Sequence, residues 1–326
     1  MLTYTIRRLL YAIPIVVGVN LITFLLFFAV ASPRQMAVQI LGDKHVTQED
    51  IDTWLEERGY DVPRLWNHHA SGLGKVTQTI FFKKSVSLLW FDFGVSDRDQ
   101  RPIGRDIRSR IGPSLAITLP MFIGGMLVNI VLAMLVAAHR GTYLDLLALL
   151  VCVVLMSIPD LFYIIGGQYV FSIQWRLFPI SGYDTGTDMI KFVAMPILIG
   201  ILGGLGGSVR FYRTVFLEEI NRDYIRTARA KGLGENAVLF KHALKNAMIP
   251  ILTGVVMSLP FLFMGSLLLE NFFTIPGLGS YTIDAISAKD FAIVRSMVFL
   301  GSVLYVAGTL LTDLSYTLVD PRVQLE

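Results

Sequence analysis

Asp223-Tyr-Ile-Arg-Thr-Ala-Arg-Ala-Lys-Gly-Leu233, with Lys241-His-Ala-Leu-Lys-Asn-Ala-Met-Ile-Pro250 close behind it, decides how this chain is read. Both pieces lie in one basic connector, Arg210 to Asn246, between two strongly apolar runs. Asn221 and Asp223 are favourable helix caps, Tyr224 to Lys231 has helical character, and Gly232 suits the position just past a helix C-terminus. Tyr224 and Ala228, four residues apart, share one face, and Ile225 and Arg229 an adjacent one. Small Ala228 and Ala230 allow such a helix to sit deep in a partner's groove, while Arg226, Arg229 and Lys231 match an acidic rim. The same segment also fits a basic amphipathic helix resting on anionic lipid. Pro250 is expected in the first turn of the next apolar run, where a missing N–H is harmless.

Outward from the connector the chain is a membrane protein. Of its 326 residues 54% are hydrophobic and 16% charged, with a mean hydropathy of +0.60; soluble chains carry about 25% charged residues. Six stretches, roughly 9–30, 114–137, 146–171, 192–209, 248–269 and 294–317, reach the ~20 apolar residues that a bilayer crossing needs. The first exceeds a signal-peptide core of about 7–15 residues, and Ser32-Pro33-Arg34 is a poor cleavage site, so it reads as a retained helix. One cysteine, Cys152, allows no disulfide framework. A net charge of +3 gives no basis for a nucleic-acid partner.

The cations set an orientation. Arg7, Arg8, Arg140, the eight cations from Arg210 to Lys245, and Arg322 fall on one side, while the short loops at about 172–191 and 270–293 hold only Arg176, Lys191 and Lys289. The positive-inside rule therefore puts both ends in the cytoplasm. Residues 31–113 hold twelve cations, but they form a segment too long for the rule to count. The chain thus divides into the N-terminus and first helix at 1–30, an extracytoplasmic cap at 31–113, and a five-helix core at 114–326 with a cytoplasmic loop at 210–247.

Inside the cap, Thr47-Gln-Glu-Asp50 is a capping-box start, Ile51, Trp54 and Leu55 form a helical stripe, and Gly59 with Pro63 ends it. Phe81, Phe82, Leu88, Leu89, Trp90, Phe91 and Phe93 form an aromatic cluster that calls for burial. The cap is read as a folded lid on the helix ends, or as a surface for an external protein. In the span at 192–209 the pairs Gly200/Gly204 and Gly203/Gly207 permit close helix approach, within this chain or against a homologous partner. Ser157, Pro159 and Asp160 mark the middle of the third span. Proline there permits a kink, and an intramembrane carboxylate is a candidate for a pathway or gating role, against the alternative of an internally paired structural aspartate. Asp313, near the cytoplasmic end of the last span, reads as an end-of-helix residue.

Chemistry is conspicuous by exclusion. Gly72-Leu-Gly-Lys-Val-Thr77 lacks the spacing and the hydroxyl residue of a phosphate-binding loop. His45, His68, His69, His139 and His242 show no metal-type pairing, and neither a G-x-S-x-G elbow nor an intramembrane His-Glu-x-x-His occurs. The chain is expected to hold no cofactor and no metal and to catalyse nothing, so any pumping draws on a partner.

Several blocks, in order along nearly the whole chain, resemble the permease subunits of binding-protein-dependent ABC importers, and within them the B-type dipeptide/oligopeptide branch. They are Arg7-Arg-Leu-Leu-Tyr-Ala-Ile-Pro14, Asp92-Phe-Gly-Val-Ser96, Ser157-Ile-Pro159, Arg226-Thr-Ala-Arg-Ala-Lys-Gly-Leu233 with His242-Ala-Leu-x-Asn-Ala-x-Ile-Pro250, Glu270-Asn-Phe-Phe-Thr-Ile-Pro-Gly-Leu-Gly279, and Asp320-Pro-Arg322. Of the general E-A-A-x-x-x-G signature only Ala228 and Gly232 match, with Arg226 and Thr227 in the first two places. Ala31-Ser-Pro-Arg34 replaces the family's Pro-Gly-Asp-Pro, and Leu65 to Leu89 matches no family block. The resemblance implies an all-α fold of six transmembrane helices of the type I importer kind, with a small external cap after the first helix. It further implies a bacterial inner-membrane location, a homologous second permease, two cytoplasmic ATPases that bind ATP and magnesium, and an external solute-binding protein. In this scheme Asp223, Tyr224, Arg226, Thr227, Ala228, Arg229, Ala230, Lys231 and Gly232 form the coupling helix. Nickel-carrying relatives share these motifs. An ion-coupled secondary transporter would need several buried charges and has only Asp160; a membrane-anchored scaffold would not need six spans.

Overall fold

The computed structural model describes residues 2–42 and 46–319, so the Asp320-Pro-Arg322 block, Arg322 and His45 lie outside the described residues. The described chain is all-α apart from one isolated bridge between Val95 and Pro102. The helices that matter are α1 (Leu2–Val30), α2 (Pro33–Leu41), α3 (Gln48–Glu57), α4 (Ile103–Ala138), α5 (Tyr143–Ser157), α6 (Asp160–Gly167), α7 (Met189–Ile220), α8 (Asp223–Ala230), α9 (Leu244–Ser258), α10 (Leu267–Phe272), α11 (Leu278–Ala288) and α12 (Phe291–Val319). Among the described residues five continuous helical stretches are long and apolar enough to cross a bilayer, and the pair formed by α5 and the stretch Asp160–Gln174, bent by 91°, counts as a sixth when taken as one span. This is an all-α membrane protein.

The bend has a local cause. A residue before proline is pushed out of the α region, and the proline ring removes a donor. Ile158 accordingly sits at φ −90°, ψ 119° and Pro159 at φ −61°, ψ 145°, so the chain leaves the helix for two residues and restarts at Asp160.

The chain forms two compact units. One takes residues 2–111 together with Ser280–Leu310; the other takes Gly112–Gly279 and continues from Leu311. In the first, Ser32 starts α2 with a capping box (Ser32 N donates to Gln35 Oε1 at 2.8 Å) and Pro33 fills the first turn. The expected capping box of α3 forms between Thr47 and Asp50, and Ile51, Trp54 and Leu55 are all buried. Trp54 stacks on Tyr60 with centroids 5.7 Å apart, and Gly59 turns the chain at φ +67°. This core also takes in Phe24 and Phe28 of α1.

A buried polar group ties the cap to the start of α12, and the sequence reading contains no sign of it. Tyr60 donates to both Asp97 carboxylate oxygens at 3.0 Å, Ala292 N donates to Asp97 Oδ2 at 3.1 Å, and the Ser96 hydroxyl donates to Asp290. Burial pushes the Asp97 carboxyl above its ordinary range, against the pull of Arg295 and Lys84.

In the second unit, Ala133 and Met134 of α4 pack with Phe216 of α7 and with Ala247 and Ile251 of α9. α7 and α5 approach closely at Gly206, where a Cβ would come within 2.6 Å of the Cys152 carbonyl. Three expectations need correction. The long connector shrinks, because α7 runs on to Ile220 and carries Arg210 and Arg213 as helix residues. Pro250 lies inside α9 rather than in its first turn, since the helix extends back beyond the apolar run to Leu244 and, through a π-helical turn, to Val238. The aromatic cluster is only partly covered: Leu88 is buried, but Phe82, Trp90 and Phe91 are exposed.

Candidate functional site

The segment expected to couple, residues 223–232, is a helix held on a hairpin. α8 follows α7 after a two-residue turn, Asn221 and Arg222, and its C-terminus closes in a double bond pattern: Leu233 N donates to Ala228 O at 3.4 Å and Gly232 N to Arg229 O at 2.9 Å. That is the Schellman arrangement, and Gly232 supplies its left-handed residue at φ +75°. The expected caps do not act. Asn221 ends α7, its Nδ2 donating to Leu217 O at 2.8 Å, while Arg222 occupies the N-cap without a side-chain bond. Asp223 is the first helical residue, where its charge favours the positive end of the helix dipole.

The faces of α8 also need correction. Ile225 is 0% and Ala228 5% exposed, both packed on Val238 and Ala243 of the returning chain. Ala228 therefore holds the helix to its own hairpin and is not offered to a partner's groove. The face left open carries Asp223, Tyr224, Arg226, Thr227, Arg229, Ala230 and Lys231. Several of these are already engaged. Arg229 meets the Glu235 carboxylate through both Nε and Nη2, which lowers the Glu235 pKa and raises that of Arg229. Tyr224 donates to Glu219 Oε2 at 2.5 Å; partial burial and that bond push the phenol up to about 12, so it stays a donor. Arg226 bonds Asp223 at 3.4 Å in the open, a pair of little worth. Lys231 has no bonded partner among the described residues.

Beneath the hairpin, α5 and α7 are clamped by an ion pair missed in the sequence. Arg213 grips Asp145 bidentately, Nε to Oδ1 and Nη2 to Oδ2 both at 2.8 Å, and Gly141 N adds a third bond at 3.1 Å. The spacing of 68 residues between partners leaves no local sequence signal.

Ser157, Pro159 and Asp160 come together at the bend. A cavity of about 540 Å³ opens there, lined among others by Asp160, Gly203, Gly204, Gly207, Ser208 and Ser258. A second of about 530 Å³ shares Asp160, Gly203 and Gly204 with it, and Ser157 and Pro159 line a third of about 660 Å³. Asp160 is exposed and forms no hydrogen bond or ion pair among the described residues, so the reading of an internally paired aspartate finds no partner there. The glycines divide: Gly200 and Gly206 meet neighbouring helices, while Gly204 and Gly207 face open space. The concavity is lined mostly by apolar side chains, among them Phe122, Met156 and Phe211, interrupted by glycines and by the one carboxylate of Asp160.

A third constellation was legible only as a motif. Glu270, fully buried on α10, accepts from Gly279 N at 2.7 Å and from Ser266 N at 3.1 Å, while the Ser114 hydroxyl accepts from Leu278 N at 2.8 Å. A Cβ on Gly277 would strike the Glu270 carboxylate. The Glu270–Gly279 block is thus a loop wrapped around one acid, which is why its glycines and its glutamate occur together. Among the described residues no group of three or more metal-ligating side chains occurs.

Comparison with known proteins agrees with this layout. The family model described as "Binding-protein-dependent transport system inner membrane component" matches residues 129–325. The oligopeptide transport system permease protein AppB of Bacillus subtilis is 30% identical over 99% of this chain and 100% of its own length. The dipeptide transport system permease protein DppB of Alkalihalophilus pseudofirmus is likewise 30% identical, over 99% and 100%. The glutathione transport system permease protein GsiC of Salmonella paratyphi A is 30% identical over 99% of both chains. With its membrane-crossing helices, its bent span and its basic helical hairpin, the chain belongs to the family of inner-membrane permease components of binding-protein-dependent transport systems.

Proposed function

We propose that this chain is one of two homologous halves of an ATP-driven importer of di- or oligopeptides, by analogy with the relatives named for oligopeptide, dipeptide and glutathione transport. The observation that carries the reading is α8: a short helix with its apolar side glued to its own hairpin and a polar, cation-bearing face left open. On this reading the hairpin faces the cytoplasm, as do both chain ends, and docks on an ATPase subunit that binds ATP and magnesium. A second permease completes the pathway and a solute-binding protein delivers peptide on the cap side. Nucleotide-driven closure of two ATPases displaces α8, the Asp145–Arg213 clamp passes the motion to α5 and α7, and the bend at Pro159 turns it into opening or closing around Asp160. The chain itself supplies no cofactor and no catalytic group.

Affinity purification of the chain in mild detergent tests the assembly. The expected result is co-purification of P-loop ATPase subunits and a second permease. Recovery of the chain alone, together with solute uptake that follows an ion gradient and ignores ATP, would replace the reading with an ion-coupled transporter.

A further inference from the structure

Phe82–Val86 is a π-helical turn and Ser87–Trp90 a 3-10 turn, ended by Phe91 in the left-handed region at φ 59°. Two points of this irregular segment, Ser85 and Phe91, meet membrane-crossing helices well below their outer ends. Asn20 Nδ2 of α1 donates to Ser85 O at 2.6 Å. Asn20 stands ten residues before Val30, about 15 Å down the helix at a rise of ~1.5 Å per residue. Counted from the other side, it lies twelve residues beyond Arg8, about 18 Å into a hydrocarbon layer ~30 Å thick. The Phe91 ring meets Phe299 edge-on with centroids 6.3 Å apart, and Phe299 is eight residues into α12, about 12 Å from its start.

We infer that Phe82–Phe91 is a re-entrant segment, seated about 10–15 Å deep in the leaflet on the cap side, with Trp90 against lipid. Irregular backbone at that depth persists only where its polar groups find partners inside the protein. Asn20, 2% exposed and costly at mid-span by itself, supplies one such donor to the Ser85 carbonyl. On the other side the segment is uncovered: Trp90 is 83% exposed, Phe82 and Phe91 are exposed beside it, and Lys83 is the one exposed cation among these residues, its long stem able to carry the charge outward. Lys84 turns back toward the cap, its ammonium 5.0 Å over the Tyr60 ring, as a lysine stem at a membrane edge does. Leu73, 85% exposed elsewhere in the cap, serves as the contrast.

Spin labels decide the matter in the full chain, reconstituted in lipid nanodiscs with whichever subunits co-purify. In a Cys152→Ser background, Trp90→Cys and Leu73→Cys are labelled and their relaxation is measured with oxygen and with a water-soluble nickel chelate. The expected result is an oxygen-to-nickel accessibility ratio at position 90 several-fold above that at 73, falling toward the position-73 value when Asn20→Ala is added. A nickel-accessible label at 90 would place the segment in water, and low accessibility to both reagents would place it under a protein partner; either overturns the inference. A second measurement avoids the cysteine variants. Lipids brominated midway along their acyl chains should quench the emission of the unaltered chain, and Trp90→Phe should remove the largest share of that quenching. Undiminished quenching in Trp90→Phe would likewise contradict the inference.

Discussion

Gly232 is the residue whose backbone demands most. Its φ of +75° closes the Schellman turn, yet a Cβ built there meets nothing within 4 Å, so the cost of substitution is conformational alone. Gly232→Val should therefore strain the turn by about 1–2 kcal/mol, whereas Gly232→Asn, at home in the left-handed region, should be tolerated. Retention of ATPase subunits through purification reads the difference: lost or reduced for valine, near normal for asparagine. Equal retention would mean the turn geometry is irrelevant to docking. Asp160 is a different case, because it holds nothing together among the described residues. Asp160→Asn and Asp160→Ala should leave membrane insertion and subunit assembly intact while lowering peptide uptake; normal uptake in both would remove the pathway role. Gly232 was legible in the sequence because few residues other than glycine take up that φ comfortably. Asp160 was legible because a carboxylate within an apolar run is conspicuous. Glu270 was not, because its purpose is set by backbone N–H groups of a loop whose path no local pattern reveals.

At the scale of elements, the two faces of α8 separate docking from folding. Ala228→Trp should overpack the Ile225–Val238–Ala243 contact and loosen the hairpin itself, a steric cost of about 1–3 kcal/mol. Thr227→Trp, on the open face, should leave the hairpin intact and still block a partner. Limited proteolysis between residues 221 and 243, followed beside ATPase retention, distinguishes them: cleavage should rise only in Ala228→Trp. Similar cleavage in both would show that the assigned faces are wrong. The sequence reading placed Ala228 outward because spacing shows which residues share a face but not where the returning chain lies. That return is a π-helical turn, a departure from the regular period that pattern reading does not anticipate. The clamp below is testable as a cycle. Asp145→Leu strands Arg213 and should destabilise the unit by roughly 2–3 kcal/mol, seen as a lower melting temperature in detergent. Adding Arg213→Met should recover most of the loss, because a buried pair replaced as a unit is often neutral. If recovery is complete while peptide-stimulated ATP hydrolysis stays low, the clamp transmits motion as well as holding the helices. No destabilisation in Asp145→Leu would mean that it does neither.

For the whole molecule, hydropathy and the positions of Lys and Arg were enough to name the class, since a ~20-residue apolar run has few other uses. The kink permitted by Pro159 is present, though its size of 91° was not legible; what was missed lies where the chain joins distant residues or outruns its apolar pattern, in α7 running on to Ile220 and the Asp97–Asp290 group joining the cap to α12. The central claim is that α8 hands the free energy of ATP hydrolysis to a peptide pathway. ATP-dependent uptake of a labelled tripeptide by proteoliposomes, holding this chain with its ATPases, second permease and binding protein, measures that transfer directly. Wild-type uptake should require ATP. Arg226→Glu with Lys231→Glu should cut it several-fold, more steeply as salt rises, because the rim charges are reversed and their attraction is screened. Undiminished uptake by the doubly reversed chain, or uptake that proceeds without the ATPases, would contradict it.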